Sequence, residues 1–161
     1  MFDLDGTVFV PQPEIEVLRD GSVISDGGSV DLGTVTTGES VTETFTVRND
    51  GEAELTLDNL AVSGTGFEIS SGLGDTSLAP AGTTTFTIRF NAGDTAGDAS
   101  GDISLGSNDD DENPFDISLS ADVDVPQPEI EVLAGNSLVS DGGTLEINPI
   151  ATGEAVTLSL T

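Results

Sequence analysis

The sequence predicts an all-β protein, an antiparallel β-sandwich occurring in tandem modules, and three observations carry that expectation. Apolar and polar residues alternate in short runs, turn formers separate the runs, and a long stretch of the chain occurs twice.

The alternation has the period of two expected of half-buried strands. In Val41-Thr42-Glu43-Thr44-Phe45-Thr46-Val47-Arg48, the residues Val41, Phe45 and Val47 point one way and the threonines and Arg48 the other. Glu43 interrupts the apolar face near its start, which puts that end of the strand at the rim of the core. Phe86, Ile88 and Phe90 form the next inward face, and Phe115, Ile117, Leu119 and Ala121 another. Leu55 with Leu57, Phe67 with Ile69, and Ile103 with Leu105 give shorter versions. Asn49-Asp50-Gly51, Ser63-Gly64, Pro80-Ala81-Gly82, Asn91-Ala92-Gly93 and Asn108-Asp109 fall between them as turns. No segment shows helical periodicity with caps. Seven or more short strands in about 110 residues describe a sandwich with a core of phenylalanine and aliphatics.

Pro11-Gln12-Pro13-Glu14-Ile15-Glu16-Val17-Leu18 recurs unchanged as Pro126-Gln127-Pro128-Glu129-Ile130-Glu131-Val132-Leu133. The offset of 115 holds without a gap to Thr161, and 19 of the 36 positions compared are identical. Phe2-Asp3-Leu4 likewise precedes the first copy as Phe115-Asp116-Ile117 precedes the second. The expected organisation is therefore a closing strand of one module at 1–10, a complete module with its junction at 11–125, and the opening strands of another at 126–161. A period this long suits self-contained domains rather than a solenoid.

The 161 residues carry 30 acidic groups against Arg19, Arg48 and Arg89, a net charge of -27. Phosphates would repel such a chain, which excludes nucleic acid and anionic membranes as partners. Without cysteine there is neither a disulfide framework nor a thiolate metal site. No apolar run approaches the roughly 18 residues of a membrane-spanning helix. Residues 1–10 lack the basic and apolar regions of a signal peptide, so an export signal is expected outside them.

Pro13-Glu14-Ile15-Glu16-Val17, Phe45-Thr46-Val47-Arg48-Asn49-Asp50-Gly51, Phe86-Thr87-Ile88-Arg89-Phe90 and Ser107-Asn108-Asp109-Asp110-Asp111-Glu112-Asn113-Pro114-Phe115 together resemble the bacterial choice-of-anchor D repeats. These are relatives of the ASH/Hydin-type immunoglobulin-like domains, and the resemblance covers essentially the whole chain. It implies an immunoglobulin-like fold, a large multi-module bacterial surface or secreted protein, and no catalytic residue.

Phe2-Asp3-Leu4-Asp5-Gly6-Thr7-Val8 looks like the first motif of haloacid-dehalogenase-type phosphatases, whose first aspartate is a nucleophile. That chemistry needs a cation for the phosphoryl oxygens and an α/β scaffold. The chain has no lysine and no βαβ alternation, so no enzyme is expected. Asn108 to Asn113 is the densest run of oxygen ligands. It makes Asp109, Asp110, Asp111 and Glu112 candidate calcium ligands, set against a plain solvated loop. Asp94 and Asp98 form a weaker candidate of the same kind. Ser25-Asp26-Gly27-Gly28 and its copy at 140–143 read as hairpin turns, and each Pro-Gln-Pro as a short stiff junction. The expected function is a non-catalytic spacer or filament-building repeat outside the cell. Its partners are identical or neighbouring modules, joined by pairing residues 2–10 with 126–161 of a neighbour. The alternative is an adhesive or ligand-binding module using its acidic face or loops.

Overall fold

The computed structural model describes residues 9–134, 137–143 and 152–153. Residues 2–8 of the expected closing strand, the phosphatase-like motif and most of 144–161 lie outside the described residues, while Phe9 and Val10 are exposed and outside any strand. Contacts divide the chain into two units, Met1–Pro126 and Gln127–Thr161.

The first unit is a sandwich of ten strands. They are β1 (Ile15–Arg19), β2 (Ser22–Ile24), β3 (Gly28–Thr36), β4 (Ser40–Asn49), β5 (Leu55–Val62), β6 (Phe67–Ser71), β7 (Ser77–Leu78), β8 (Thr83–Asn91), β9 (Gly97–Ser107) and β10 (Phe115–Asp124). One sheet has the order β2-β1-β4-β8-β6 and the other β3-β10-β9-β5-β7. The described residues include no helix. Pairing is antiparallel except that β3 runs parallel to β10. The chain thus crosses between sheets after its first hairpin, the two-part opening strand of an immunoglobulin-like sandwich.

The inward residues form one core. Phe45, Val47, Phe86, Ile88, Ile117 and Leu119 are all at most 2% exposed. Phe45 stands opposite Phe86 in the β4–β8 ladder, with stacked rings 5.1 Å apart, and Phe67 opposite Phe90, with rings 4.6 Å apart. Each such pair adds about 1 kcal/mol beyond its buried area. Ile69 departs from its expected inward place and is 36% exposed. It lies on the outermost strand β6, where the register to β8 shifts between Ile69 and Ser71 and turns the strand away from the core.

The first hairpin turns at Asp20-Gly21, with φ of 49° and 76°, the positive pair that a two-residue turn requires. Asp26-Gly27 is a turn too, since Gly28 N donates to Ser25 O at 2.9 Å. It joins β2 to β3, which belong to different sheets, so it is a crossing and not a hairpin. Gly27 holds φ 68° there. Gly27→Ala is expected to cost about 1 kcal/mol, or roughly 4 °C in a thermal melt, because a Cβ disfavours that conformation. An unchanged midpoint would mean the crossing relaxes at no cost.

Residues 15–24 and 130–139 invite direct comparison. In the second unit β11 (Val132–Ala134) pairs with β12 (Ser137–Val139). Its register is Val132↔Val139, Leu133↔Leu138 and Ala134↔Ser137. That is the β1–β2 register, Val17↔Ile24, Leu18↔Val23 and Arg19↔Ser22, displaced by the sequence offset. Gly142 and Gly153 repeat the positive φ of Gly27 and Gly38. Ile130, the counterpart of the buried Ile15, is 88% exposed.

Candidate functional site

The β9–β10 connection reaches the end of the sandwich where the Pro-Gln-Pro junction enters. Asn108 ties it to β5: its Oδ1 accepts from Thr56 N at 2.8 Å and its Nδ2 donates to Glu54 O at 3.0 Å. Asn113 Oδ1 accepts from Ser107 N at 3.2 Å. Asp109 is only 2% exposed, and its Oδ2 accepts from Ile15 N at 2.9 Å. A side chain of the loop therefore caps the start of β1.

The junction is fixed from the other side by the turn after β4. Asn49 is fully buried, and all its side-chain valences are spent there. Oδ1 accepts from Gly51 N at 3.0 Å and Glu14 N at 3.4 Å, while Nδ2 donates to Ala53 O at 2.7 Å and Leu78 O at 2.9 Å. Gln12 O accepts from Glu52 N and Ala53 N, and Glu14 O from Asp50 N. A Cβ on Gly51 would run into the backbone of Gln12, Pro13 and Glu14, so only glycine lets the junction lie this close.

This arrangement delivers Glu14 to the loop. Carboxylate oxygens of Glu14, Asp109 and Asp111 all lie within 4.8 Å of one another. Of the four loop residues expected from sequence to bind a cation, the structure thus gathers Asp109 and Asp111 and adds Glu14. Asp110 is exposed and outside the trio; Glu112, half-buried, is outside it too and lines a neighbouring groove of about 180 Å³ with Glu14, Glu16 and Asp50. Loss of hydration raises the carboxyl pKa of Glu14 above 4.5, helped by the charges of Asp109, Asp111 and Asp50. Burial raises that of Asp109 above 3.8 against the lowering bond from Ile15 N, with Asp111 adding to the rise. Glu112 is raised for the same reason, loss of hydration first and then Glu14 and Asp109. Three converging oxygens, two of them on groups held above their ordinary pKa, can supply part of a hard-cation shell. Asp94 and Asp98 lie at the opposite end of the sandwich, by an open groove of about 380 Å³ that Asp98 lines with Gly66, Gly93 and Gly97. They join no carboxylate trio among the described residues.

The two outer faces differ in charge. On the first sheet Arg48 pairs with Glu16 at 2.6 Å and Asp50 at 3.2 Å, and Arg89 approaches Glu68 at 4.0 Å. The second sheet presents Asp31, Asp58, Asp98, Asp102, Asp116, Asp122 and Asp124 outward, separated by serine and threonine. Lysine is absent from the chain, and the three arginines sit on β1, β4 and β8 of the other sheet.

One antiparallel sheet packed on one mixed sheet, with a split opening strand, defines an immunoglobulin-like module. Residues 25–122 match the HYDIN/CFA65/VesB-like, Ig-like domain, and the chain belongs to that family. Among solved structures it is similar to a protein of unknown function from Porphyromonas gingivalis W83, at 20% identity and a TM-score of 0.53, over 69% of this chain and 47% of that one. It also matches the ASH/PapD-like domain 7 of human CEP192, at 13% identity and TM-score 0.48, over 79% and 96% of the two chains. A third match is the secreted serine protease VesC from Vibrio cholerae, at 24% identity and TM-score 0.48, over 58% and 21%. The chain thus spans less than half of the Porphyromonas protein and about a fifth of the Vibrio one. Comparison with curated proteins gave no match.

Proposed function

We propose that this chain is a non-catalytic structural repeat of a large bacterial surface or secreted protein, a spacer or filament-building module of the choice-of-anchor D type. One observation carries the reading: the hairpin of residues 15–24 reappears at 130–139 with the same register. A sequence that repeats both residues and conformation at an offset of 115 supports a string of like modules. Residues 11–125 form one of them, 1–10 close a preceding one and 126–161 open the next. The motif resemblance supports an extracellular or cell-surface location. The seven outward aspartates favour the second reading, an adhesive module that engages a cationic ligand through that face. Calcium at Glu14, Asp109 and Asp111 belongs to the proposal as a stabiliser of the junction, not as a catalyst.

End-to-end assembly follows if residues 2–10 complete the sheet of a neighbour's 126–161, because Phe2 and Leu4 occupy the places of Phe115 and Ile117. Deleting residues 1–10 is expected to abolish concentration-dependent association in light scattering while leaving the melt of the central module unchanged. A truncated chain that still associates would sink strand complementation, and a lowered central melt would show that these residues serve their own module.

A further inference from the structure

The segment 11–28 has a near-duplicate at 126–143 in the same chain, differing at positions 19, 20, 21, 23 and 24, and of these Arg19 alone lies on β1, which pairs with β4. Arg19 closes β1, and its guanidinium donates to Glu43 Oε2 at 2.7 Å and to Asp31 O, on the opposite sheet, at 3.0 Å. Glu43 shares the inward register of Val41, Phe45 and Val47, and its side chain is 15% exposed. The pair therefore stitches the two sheets at the rim. At the offset of 115, Arg19 becomes Ala134 and Glu43 becomes Leu158. The two positions are charged in one copy and apolar in the other. The residues that otherwise seat β1, Gln12 through Leu18, are the same in both.

We infer that the Arg19–Glu43 pair makes the module accept its own first hairpin and reject the second hairpin of another copy of the chain. Laid on β4 in the β1 register, Val132 would fall opposite Val47, Leu133 opposite Thr46 and Ala134 opposite Phe45. Glu131 would meet Arg48 as Glu16 does. Every backbone pairing would be remade. Only Glu43 would lose its cation and Asp31 O its donor, leaving a largely dehydrated carboxylate unpaired. Repeats of similar sequence exchange strands readily, and an unpaired charge in the wrong complex is an effective means of refusing it.

The chain lacks cysteine, which permits a direct readout. Leu18 stands opposite Thr46, at a separation that disulfides tolerate. With Thr46→Cys and Leu133→Cys, the mixed 46–133 disulfide, scored by peptide mass apart from 46–46 and 133–133 bonds, reports the second hairpin in the β1 site. The reporter is placed in the native background, in Arg19→Ala/Ala134→Arg, which keeps composition and charge, and in the latter with Glu43→Leu. After refolding at high concentration, cross-linking is expected to rise at least tenfold in the second background and to return to the native level in the third. Equal yields in all three, or a rise that Glu43→Leu leaves in place, overturn the inference. Melts without the cysteines give an independent reading. Arg19→Ala/Glu43→Leu is expected to melt above Arg19→Ala alone, and simply additive losses overturn the inference as well.

Discussion

Replacing Asn49 by leucine is expected to lower the stability of the module by about 3 kcal/mol, and its melting midpoint by roughly 12 °C. The two side chains are close in volume, so the core keeps its shape. What is lost is four hydrogen bonds inside a fully buried site. Gly51 N, Glu14 N, Ala53 O and Leu78 O are left to find other partners, and a buried polar group without one costs about 1–3 kcal/mol. Some of these groups recover water at the surface, which keeps the total below the simple sum. The loss also has a place: amides of Glu52 and Ala53, which donate to Gln12 O, should exchange faster with solvent than those of β8 and β9. A melting shift under about 4 °C would show that the junction holds without Asn49.

Calcium at neutral pH is expected to raise the melting midpoint, and acidification is expected to do the same in its absence. Glu14, Asp109 and Glu112 have raised carboxyl pKa values, so in the window above 3.8 and 4.5 the folded chain holds more protons than the unfolded one. Stability is then greatest below that window and falls as pH rises through the folded values. A cation at the trio replaces the protons. At a hundredfold excess over its dissociation constant it stabilises by about 2.7 kcal/mol, or roughly 10 °C. Glu14→Gln/Asp111→Asn, both exposed, should abolish the calcium shift, whereas Asp110→Asn, outside the trio, should keep it. Melts at pH 7 with calcium or chelator decide the matter. No difference in the native chain would leave a solvated loop and nothing more.

The strands were legible where alternation ran unbroken. Phe45 and Val47, then Phe86, Ile88 and Phe90, and then Phe115, Ile117, Leu119 and Ala121 all lie inward as the pattern requires. β3 was not legible, because Gly33 sits where its register to β10 slips and splits Val30 from Val35 into fragments without a period. The crossing at Asp26-Gly27 was read as a hairpin because turn chemistry specifies a bend and not which sheet receives the chain. The acidic loop was visible as a run of ligands, but Glu14 lies 95 positions before Asp109 and joins it only through folding. Asn49 read as one more turn former, since nothing local shows that its side chain turns inward to hold a junction. The identical Pro-Gln-Pro-Glu of the two copies was the one available hint that the junction belongs to the module.

The parallel pairing of β3 with β10 has a mechanical side. The start of β3 at Gly28 lies beside Ile117, and Thr36 lies beside Asp124, where β10 leaves the sandwich. A pull along the polypeptide, entering before β1 and leaving after β10, drags these two neighbours in opposite directions along their shared axis. Seven registered positions resist together instead of unzipping one at a time. Because forced unfolding is governed by the rate of crossing that barrier, a sandwich of modest equilibrium stability can still be stiff under tension, which is what a tether needs.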